Sequence, residues 1–429
     1  MASTGKIAAV MFDEMLQEYE TQDMLLGLVD RYEPDGGTMQ NANNFVWRPV
    51  QQHAPILSGW DLAGQEQDII EQTYPAVLGT PSNDFISQRA DDLRDMRFWE
   101  RRGRESGKRQ ASYLNQTIAQ AMSTQGSMFY QFDTNTTSPG YKFVAEGQAL
   151  MNERQGYQSQ RNFLINDRDM LAFSGELSGR QTLQGRPEET WKTGQIGQNI
   201  AEFDVYTGSF LPTLAGGASP DTTVTADQSF APEGGSVDAV TGVVTNVDYR
   251  SATLPVADSS GYAVGDKVTF ENGGTPVYAV GLDDKTNSNQ AMTFTIVAIP
   301  DGTSVTVYPK PIAADDPGLT ATEAAYANID TQILDTAVVV RQNTLASAKT
   351  NLFWDEDAVE VLSGNIPAEL FKQYDGMKTM THTMKNGQKF YMVYDGNIEN
   401  MTFRYRIFTW WGVTIRDPSR VGVATTFST

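Results

Sequence analysis

The stretch NDFISQRADDLRDMRFWERRGRESGKRQASYLNQTIAQAMSTQG, from Asn83 to Gly126, contains no proline and reads as one uninterrupted helix, opening at Ser82-Asn83-Asp84 and closing at Gly126. At 1.5 Å per residue it would run roughly 65 Å, far beyond the three or four turns of an ordinary helix. An inward stripe follows Ile86, Ala90, Leu93, Gly103, Gly107, Ala111, Leu114, Ile118 and Ala121, with Phe98 and Trp99 beside it. Each glycine in a helix interior costs about 1 kcal/mol against alanine, so keeping both Gly103 and Gly107 implies that a second backbone passes close at mid-span.

The same segment is basic. Between Arg89 and Arg109 stand eight bases and five acids, net +3 in a chain of net −21, so the remainder carries −24. Three readings fit. One is a solvated face held by pairs such as Glu100 with Arg104 and Glu105 with Arg109, worth about 0.2–0.5 kcal/mol each. A second is nucleic-acid contact, which the interleaved acids oppose. A third is docking of Arg94, Arg101 and Arg102 against an acidic surface of another copy of the chain.

A chain of 429 residues has room for two or three domains. No run of 18 apolar residues would make a membrane helix, and MASTGKIAAVMFDEML is too short in its apolar part for a signal peptide, so a soluble protein made in a cytoplasm is expected. The absence of cysteine excludes disulfides, thiolate metal sites and cysteine nucleophiles. Only His53 and His382 are present, with neither a G-x-S-x-G elbow nor an H-E-x-x-H pair, so no catalytic residue is assigned. The GRESGK run at 103–108 has the wrong spacing for a phosphate loop and lies inside the helix. Asp355, Glu356 and Asp357 lack the glycine and terminal glutamate of a calcium loop and suit a helix N-terminus. No cofactor or metal is expected.

Outward from the spine, residues 5–30 read as an amphipathic helix with Ala8, Met11, Met15 and Tyr19 on one side, equally suited to a partner or to its own domain. Residues 45–74 form an extended two-stranded ribbon around Ser58-Gly59, carrying Trp60 and resting on something else, another subunit among the options. Residues 127–221 suggest an α+β layer. From Thr222 to Leu345 there is no tryptophan and fifteen acids face five bases; Gly265-Asp266 leads into KVTF, and TFTIVAI joins TSVTVY through Pro300-Asp301-Gly302 as a hairpin, so this is a separate small β-barrel or sandwich. In MTFRYRIFTWWGVTI, 401–415, Met401, Phe403, Tyr405, Ile407, Trp411, Val413 and Ile415 alternate onto one face and Arg404, Arg406 and Arg416 onto the other: one strand of about 50 Å, laid along the helix.

Seven segments in order, NDF (83–85) and RADDLRD (89–95) on the spine, GWDL (59–62), RPEE (186–189), PKPIAADD (309–316), AYANID (325–330) and NLFWDEDAVEVLS (351–363), resemble the tailed-bacteriophage major capsid proteins, specifically the coat-protein family of short-tailed phages (podoviruses) with an inserted domain. The resemblance implies an α+β major capsid fold: an N-terminal arm (1–32), an extended loop (45–80), a peripheral domain on the spine helix (83–126, with parts of 33–50 and 401–429), an axial domain (127–221, completed by 346–400) and an inserted all-β barrel (222–345). In such proteins a loop of the inserted domain contacts the neighbouring capsomer. The matching stretch is Val237–Thr253, where TNVDYRSAT makes Asp238, Asp248 and Arg250 inter-subunit contact candidates beside Arg94, Arg101, Arg102 and Trp60; which acid meets which base stays open, because 232–242 is richer in glycine than the family pattern. Asp248→Ala is accordingly expected to impair assembly more than folding. The implied partners are many copies of itself in hexamers and pentamers, a scaffolding protein, a portal at one vertex and enclosed double-stranded DNA held without specific binding, with no membrane. The implied place is the virion, after assembly in the bacterial host cytoplasm. The competing class is a secreted or surface β-rich binding protein, an adhesin or glycan binder, which the lack of a secretion signal opposes.

Overall fold

The computed structural model describes residues 2–33, 44–57, 59–62, 70–89, 96–132, 140–155, 160–171, 197–234, 236–237, 244–245, 248–366, 377–397 and 399–426. They group into two compact units: Met1–Val46, Ala76–Ile118 and Glu360–Thr414 in the first, Trp47–Pro75, Ala119–Val359 and Ile415–Thr429 in the second.

In the first unit the N-terminal helix, α1, spans Ala2–Gln22 and is followed by a 3-10 turn, Leu25–Gly27, and a short strand, Asp30–Tyr32. The expected helix to residue 30 therefore ends about two turns earlier. Its buried side is Ala8, Met11, Phe12, Met15 and Tyr19, each of the large side chains contributing on the order of 1.5–3 kcal/mol by leaving water. This face lies on the spine helix, α2, which spans Met96–Gln125. A Cβ added at Gly103 would stand 2.4 Å from the Met11 carbonyl oxygen, and one at Gly107 2.5 Å from that of Met15. The second backbone that the two glycines demanded is α1 of the same chain.

The spine is shorter than the sequence pattern predicted. Ser82–Arg89 is a strand, alternating half-buried and exposed, and pairs antiparallel with Thr402–Thr409 from Ser82↔Thr409 to Arg89↔Thr402. Residues 90–95 lie outside the described residues. The reason is local: Phe85 and Ile86 suit a pleated surface, and eight ladder positions against 402–409 outweigh the helical phase that Ile86 shares with later apolar positions. Lys389–Asn397 and Lys378–Thr383 complete a four-stranded antiparallel sheet. These last two strands were expected with 127–221 and instead pair here. Trp99 of α2 is fully buried with its ring 5.3 Å from that of Tyr405, so helix and strand meet as expected.

The predicted 401–415 strand is broken at Trp410. Thr402–Thr409 stays in the four-stranded sheet, and Trp411–Ile415 joins Val359–Ser363 and Asp30–Tyr32 in a three-stranded one. The break is fastened by Gly364 N–H donating to Trp410 O (2.8 Å) and by Trp410 Nε1–H donating to Gly79 O (2.7 Å). Gly412 is needed just after it, because a Cβ there would lie 2.1 Å from Val77 O. Arg404 and Arg406 do point to solvent, on Asp395 (3.0 Å) and Asn83 (2.9 Å).

Two large sheets lie in the second unit, beside smaller two-stranded ones. A seven-stranded mixed sheet runs Met128–Phe132, Val421–Thr426, Ser347–Asp355, Arg161–Asn166, Phe203–Gly208, Gly197–Ile200, with Thr213–Ala215 on the start of Ser347–Asp355. The helix α3, Tyr141–Arg154, covers it over an aromatic core of Tyr130, Phe143, Phe163, Phe203 and Phe353, with Phe163 and Phe353 stacked at 5.8 Å. Val421–Thr426, expected beside the spine, pairs instead with Met128–Phe132 and Ser347–Asp355.

The other sheet lies within 222–345. It is six-stranded and antiparallel: Ala252–Pro255, Ser304–Tyr308, Phe294–Asp301 and Lys267–Asn272, the last pairing both Thr275–Pro276 and Val338–Arg341. The predicted hairpin is its centre, with Asp301 opposite Ser304. Its core is aliphatic with Phe270 and Phe294 in edge-to-face contact at 5.3 Å.

Candidate interaction surfaces

The spine arginines divide by what they already hold. Arg102 donates to Asp84 at 2.5 Å, and Arg104 to Glu14 of α1 at 2.7 Å in place of the expected Glu100. Lys108 faces Glu18 at 3.7 Å, while Arg109 keeps the expected Glu105 at 3.3 Å. Two of these four bases thus meet acids of the chain's own N-terminal helix. Arg101 stays exposed, bonded at 3.4 Å only to the Arg97 carbonyl one turn back among the described residues. Arg94 lies outside them.

Asp248 and Arg250 form one largely enclosed knot in the second unit, with 21% and 9% of their side chains exposed. Arg250 donates from Nε and Nη2 to the two carboxylate oxygens of Asp248 (2.9 and 2.8 Å), and from Nη1 to Ile415 O (2.5 Å) and Arg416 O (3.0 Å). Its guanidinium lies 4.9 Å from the Tyr74 ring centroid, and Tyr308 O–H donates to Asp248 at 2.8 Å. Burial alone would raise the Asp248 carboxyl, but the bidentate bond and charge of Arg250 hold it below the ordinary value. Burial drives Tyr308 up to about 12. With 9% of the Arg250 side chain exposed, the pair is spent inside the subunit. Asp238, the third loop candidate, lies outside the described residues, as do residues 186–189.

Other apolar groups are exposed among the described residues. On the ribbon, Trp60 is 107% and Ile56 94% exposed, beyond the paired strands Phe45–Pro49 and Thr73–Val77. In the first unit Pro81, Phe85, Ile366, Met377, Val393 and Phe408 line an open groove of about 460 Å³. Singly exposed apolar residues need no explanation, whereas contiguous exposed apolar surface is characteristic of interaction sites.

Sequence reading missed Lys267. It begins the strand Lys267–Asn272, is fully buried, and its ammonium donates to Ser123 O (2.9 Å), Gly126 O (2.5 Å) and Thr295 Oγ1 (3.0 Å). Ser123 O and Gly126 O belong to the end of α2, where carbonyls lack helical partners and the macrodipole favours a cation. Thr293, Thr295, Ser127 and the buried Arg154 extend the network. Burial pulls Lys267 down to about 7, with Asp266 opposing. The available signal was a lysine at the head of the apolar run VTF, where alternation alone cannot tell a buried base from an edge one.

His53 is half-buried, edge-on to Tyr326 at 5.1 Å and lowered by burial; His382 is exposed on Lys378–Thr383. Asp355 precedes the 3-10 turn Glu356–Ala358 as expected but does not cap it, pairing with the buried Arg420 at 3.1 Å. Among the described residues no cluster of three or more acids and histidines could hold a metal ion, and no helix is long and apolar enough to cross a membrane.

The family model of the P22 coat protein (gene protein 5) matches residues 1–426. The chain belongs to the P22 coat protein family. It is a phage major capsid protein, a structural subunit that self-assembles into the shell of the virion. Family membership decides against the adhesin reading. Solved structures similar to this coat protein include the capsid of the cyanophage P-SCSP1u (10% identity, 94% of this chain and 87% of that one, TM-score 0.45). Others are the mature capsid of bacteriophage PhiM1 (9%, 95% and 88%, 0.42) and a Mycobacterium phage Che8 chain (8%, 94% and 90%, 0.42).

Proposed function

We propose that this coat protein builds an icosahedral head of hexamers and pentamers around double-stranded DNA, in the host cytoplasm, with a scaffolding protein during assembly and a portal at one vertex. The family match over 1–426 is the observation that carries the reading. Closed shells need several different edges on one subunit, each weak enough that a misplaced copy can leave. A net charge of −21 suits a container whose wall must release its polyanion rather than grip it. The domain plan of arm, extended loop, peripheral and axial domains and inserted barrel belongs to the same reading.

Among the contact candidates that are described residues, Trp60 and Arg101 are the exposed ones without an ion pair. The ribbon tip packs on another copy, and the apolar groove at Phe85 and Met377 is likewise covered on assembly. Burying an indole is worth on the order of 2–3 kcal/mol per contact, repeated over every copy in the shell. Trp60→Ala should leave the urea midpoint of the free subunit unchanged and lower the yield of closed particles severalfold in scaffold-assisted assembly followed by light scattering. Wild-type yield would remove Trp60 from the interface.

A further inference from the structure

Two Asn-Gly pairs occur in the chain, Asn272-Gly273 and Asn386-Gly387. Such a pair can close on itself: the glycine nitrogen attacks the carbonyl carbon of the asparagine side chain, and glycine alone sets no Cβ in the way. What decides the reaction is whether the fold leaves that nitrogen free. In the first unit it does not. Gly387 N–H donates to Met384 O at 2.9 Å. The Asn386 side chain is tied at both ends, Nδ2 donating to Asp23 (2.9 Å) and Oδ1 accepting from Gln388 N–H (3.2 Å), while Arg31 donates to the Asn386 main-chain carbonyl. Ring closure there requires several bonds to break together.

In the second unit Asn272 ends the strand Lys267–Asn272 opposite Thr275, so Gly273 and Gly274 alone make the turn, both with positive φ (+59° and +85°). Both glycines are exposed, and Gly273 N–H donates to no group among the described residues. The Asn272 side chain is held only by one surface loop: Nδ2 donates to Gln332 O (2.7 Å), and Oδ1 accepts from the N–H of Leu334 (3.1 Å), a residue itself exposed. We propose that Asn272 is a site of spontaneous covalent modification, converted through a succinimide to aspartate and isoaspartate, while the fold protects Asn386. Gly273 N bonds to Asn272 Cγ, the Cγ–Nδ2 bond breaks, and ammonia leaves with the Gly273 proton; water then opens the ring at either carbonyl. The chemistry needs no oxidant, reductant or cofactor. Losing Nδ2 removes the bond to Gln332 O. The new carboxylate stands beside a loop that already contains Asp330 and Asp335 and whose N–H groups are bonded by Asp315 and Asp227. Isoaspartate also lengthens the main chain inside a two-residue turn whose register is fixed at 272 and 275. A coat subunit built into a virion is not replaced, so conversions accumulate with the age of the particle.

The test incubates the full-length subunit in mildly alkaline buffer, native and in guanidinium chloride, and compares the two Asn-Gly peptides after digestion. Loss of asparagine is read by mass spectrometry and isoaspartate by isoaspartyl methyltransferase labelling. In the native protein Asn272 should convert about tenfold or more faster than Asn386, because each hydrogen bond that must break slows closure at the latter. In the denatured chain the two should convert at similar rates, since only the sequence then acts. Gly273→Ala, whose Cβ would meet nothing within 4 Å, should slow conversion at position 272 severalfold and leave Asn386 unchanged. Should left-handed strain keep that variant from folding, the native-against-denatured comparison in the wild type decides alone. Native conversion at Asn386 as fast as at Asn272, or a native Asn272 that stays intact while the denatured chain reacts, overturns the assignment.

Discussion

Replacing Asp248 by alanine is expected to destabilise the free subunit by about 3–5 kcal/mol, because it leaves the Arg250 guanidinium buried with only two carbonyl acceptors. The sequence alone predicted the opposite emphasis, with assembly suffering more than folding. Urea unfolding of the unassembled subunit checks this: the midpoint should fall clearly, and Asp248→Ala combined with Arg250→Met should recover part of the loss, since the stranded charge is then gone. The pH dependence has a fixed sign. Asp248 is held below its ordinary value, so its contribution is complete above an unfolded-state pKa of about 4 and disappears as pH falls through the lower folded value. A wild-type midpoint in the Asp248→Ala subunit together with failed assembly would hand the pair back to an inter-subunit role.

Lys267→Met should have the second largest effect. The substitution keeps the length of the side chain and removes every donor, orphaning Ser123 O, whose helical partner, Ser127 N–H, donates instead to Pro418 O at 3.0 Å. Leaving buried acceptors unmet costs about 1–3 kcal/mol. The cost should grow steadily as pH rises from 7 to 9.5. An unfolded lysine holds its proton up to about pH 10.4. In the folded chain burial lowers that limit to about 7, so between these values the unfolded state binds more protons and wild-type stability rises with pH. The methionine variant lacks this term. The neighbouring Asp266 is paired with Arg341 at 2.6 Å. Equal pH profiles for the two proteins, measured by urea unfolding from pH 7 to 9.5, would show that the lysine is not held as described.

How much of this was legible in the chain depends on the range of the forces involved. Gly103 and Gly107 announced a close backbone crossing, because a glycine's cost in a helix is local and needs a local reason; that α1 supplies the crossing depends on a contact about 90 residues away. The Pro300-Asp301-Gly302 hairpin was readable since turn and strands are contiguous. The strand Ser82–Arg89 was hidden because Ile86 falls in phase with the helical stripe that starts beyond it, and only its ladder with 402–409 decides the matter. Alternation likewise runs unbroken through Trp410 while the pairing partner changes. At the contact candidates the residue types were visible but not their commitments. Asp248 and Arg250 are two positions apart, yet the groups that bury them, Tyr74, Tyr308, Ile415 and Arg416, come from three other stretches of chain.

The most direct measurement is electron microscopy of the purified full-length protein, alone and with the scaffolding protein proposed above, across a range of concentrations. Copies of one sequence offering several weak edges should close into uniform hollow particles once the scaffold is present. A protein that remains monomeric at every concentration, with or without the scaffold, would contradict the account.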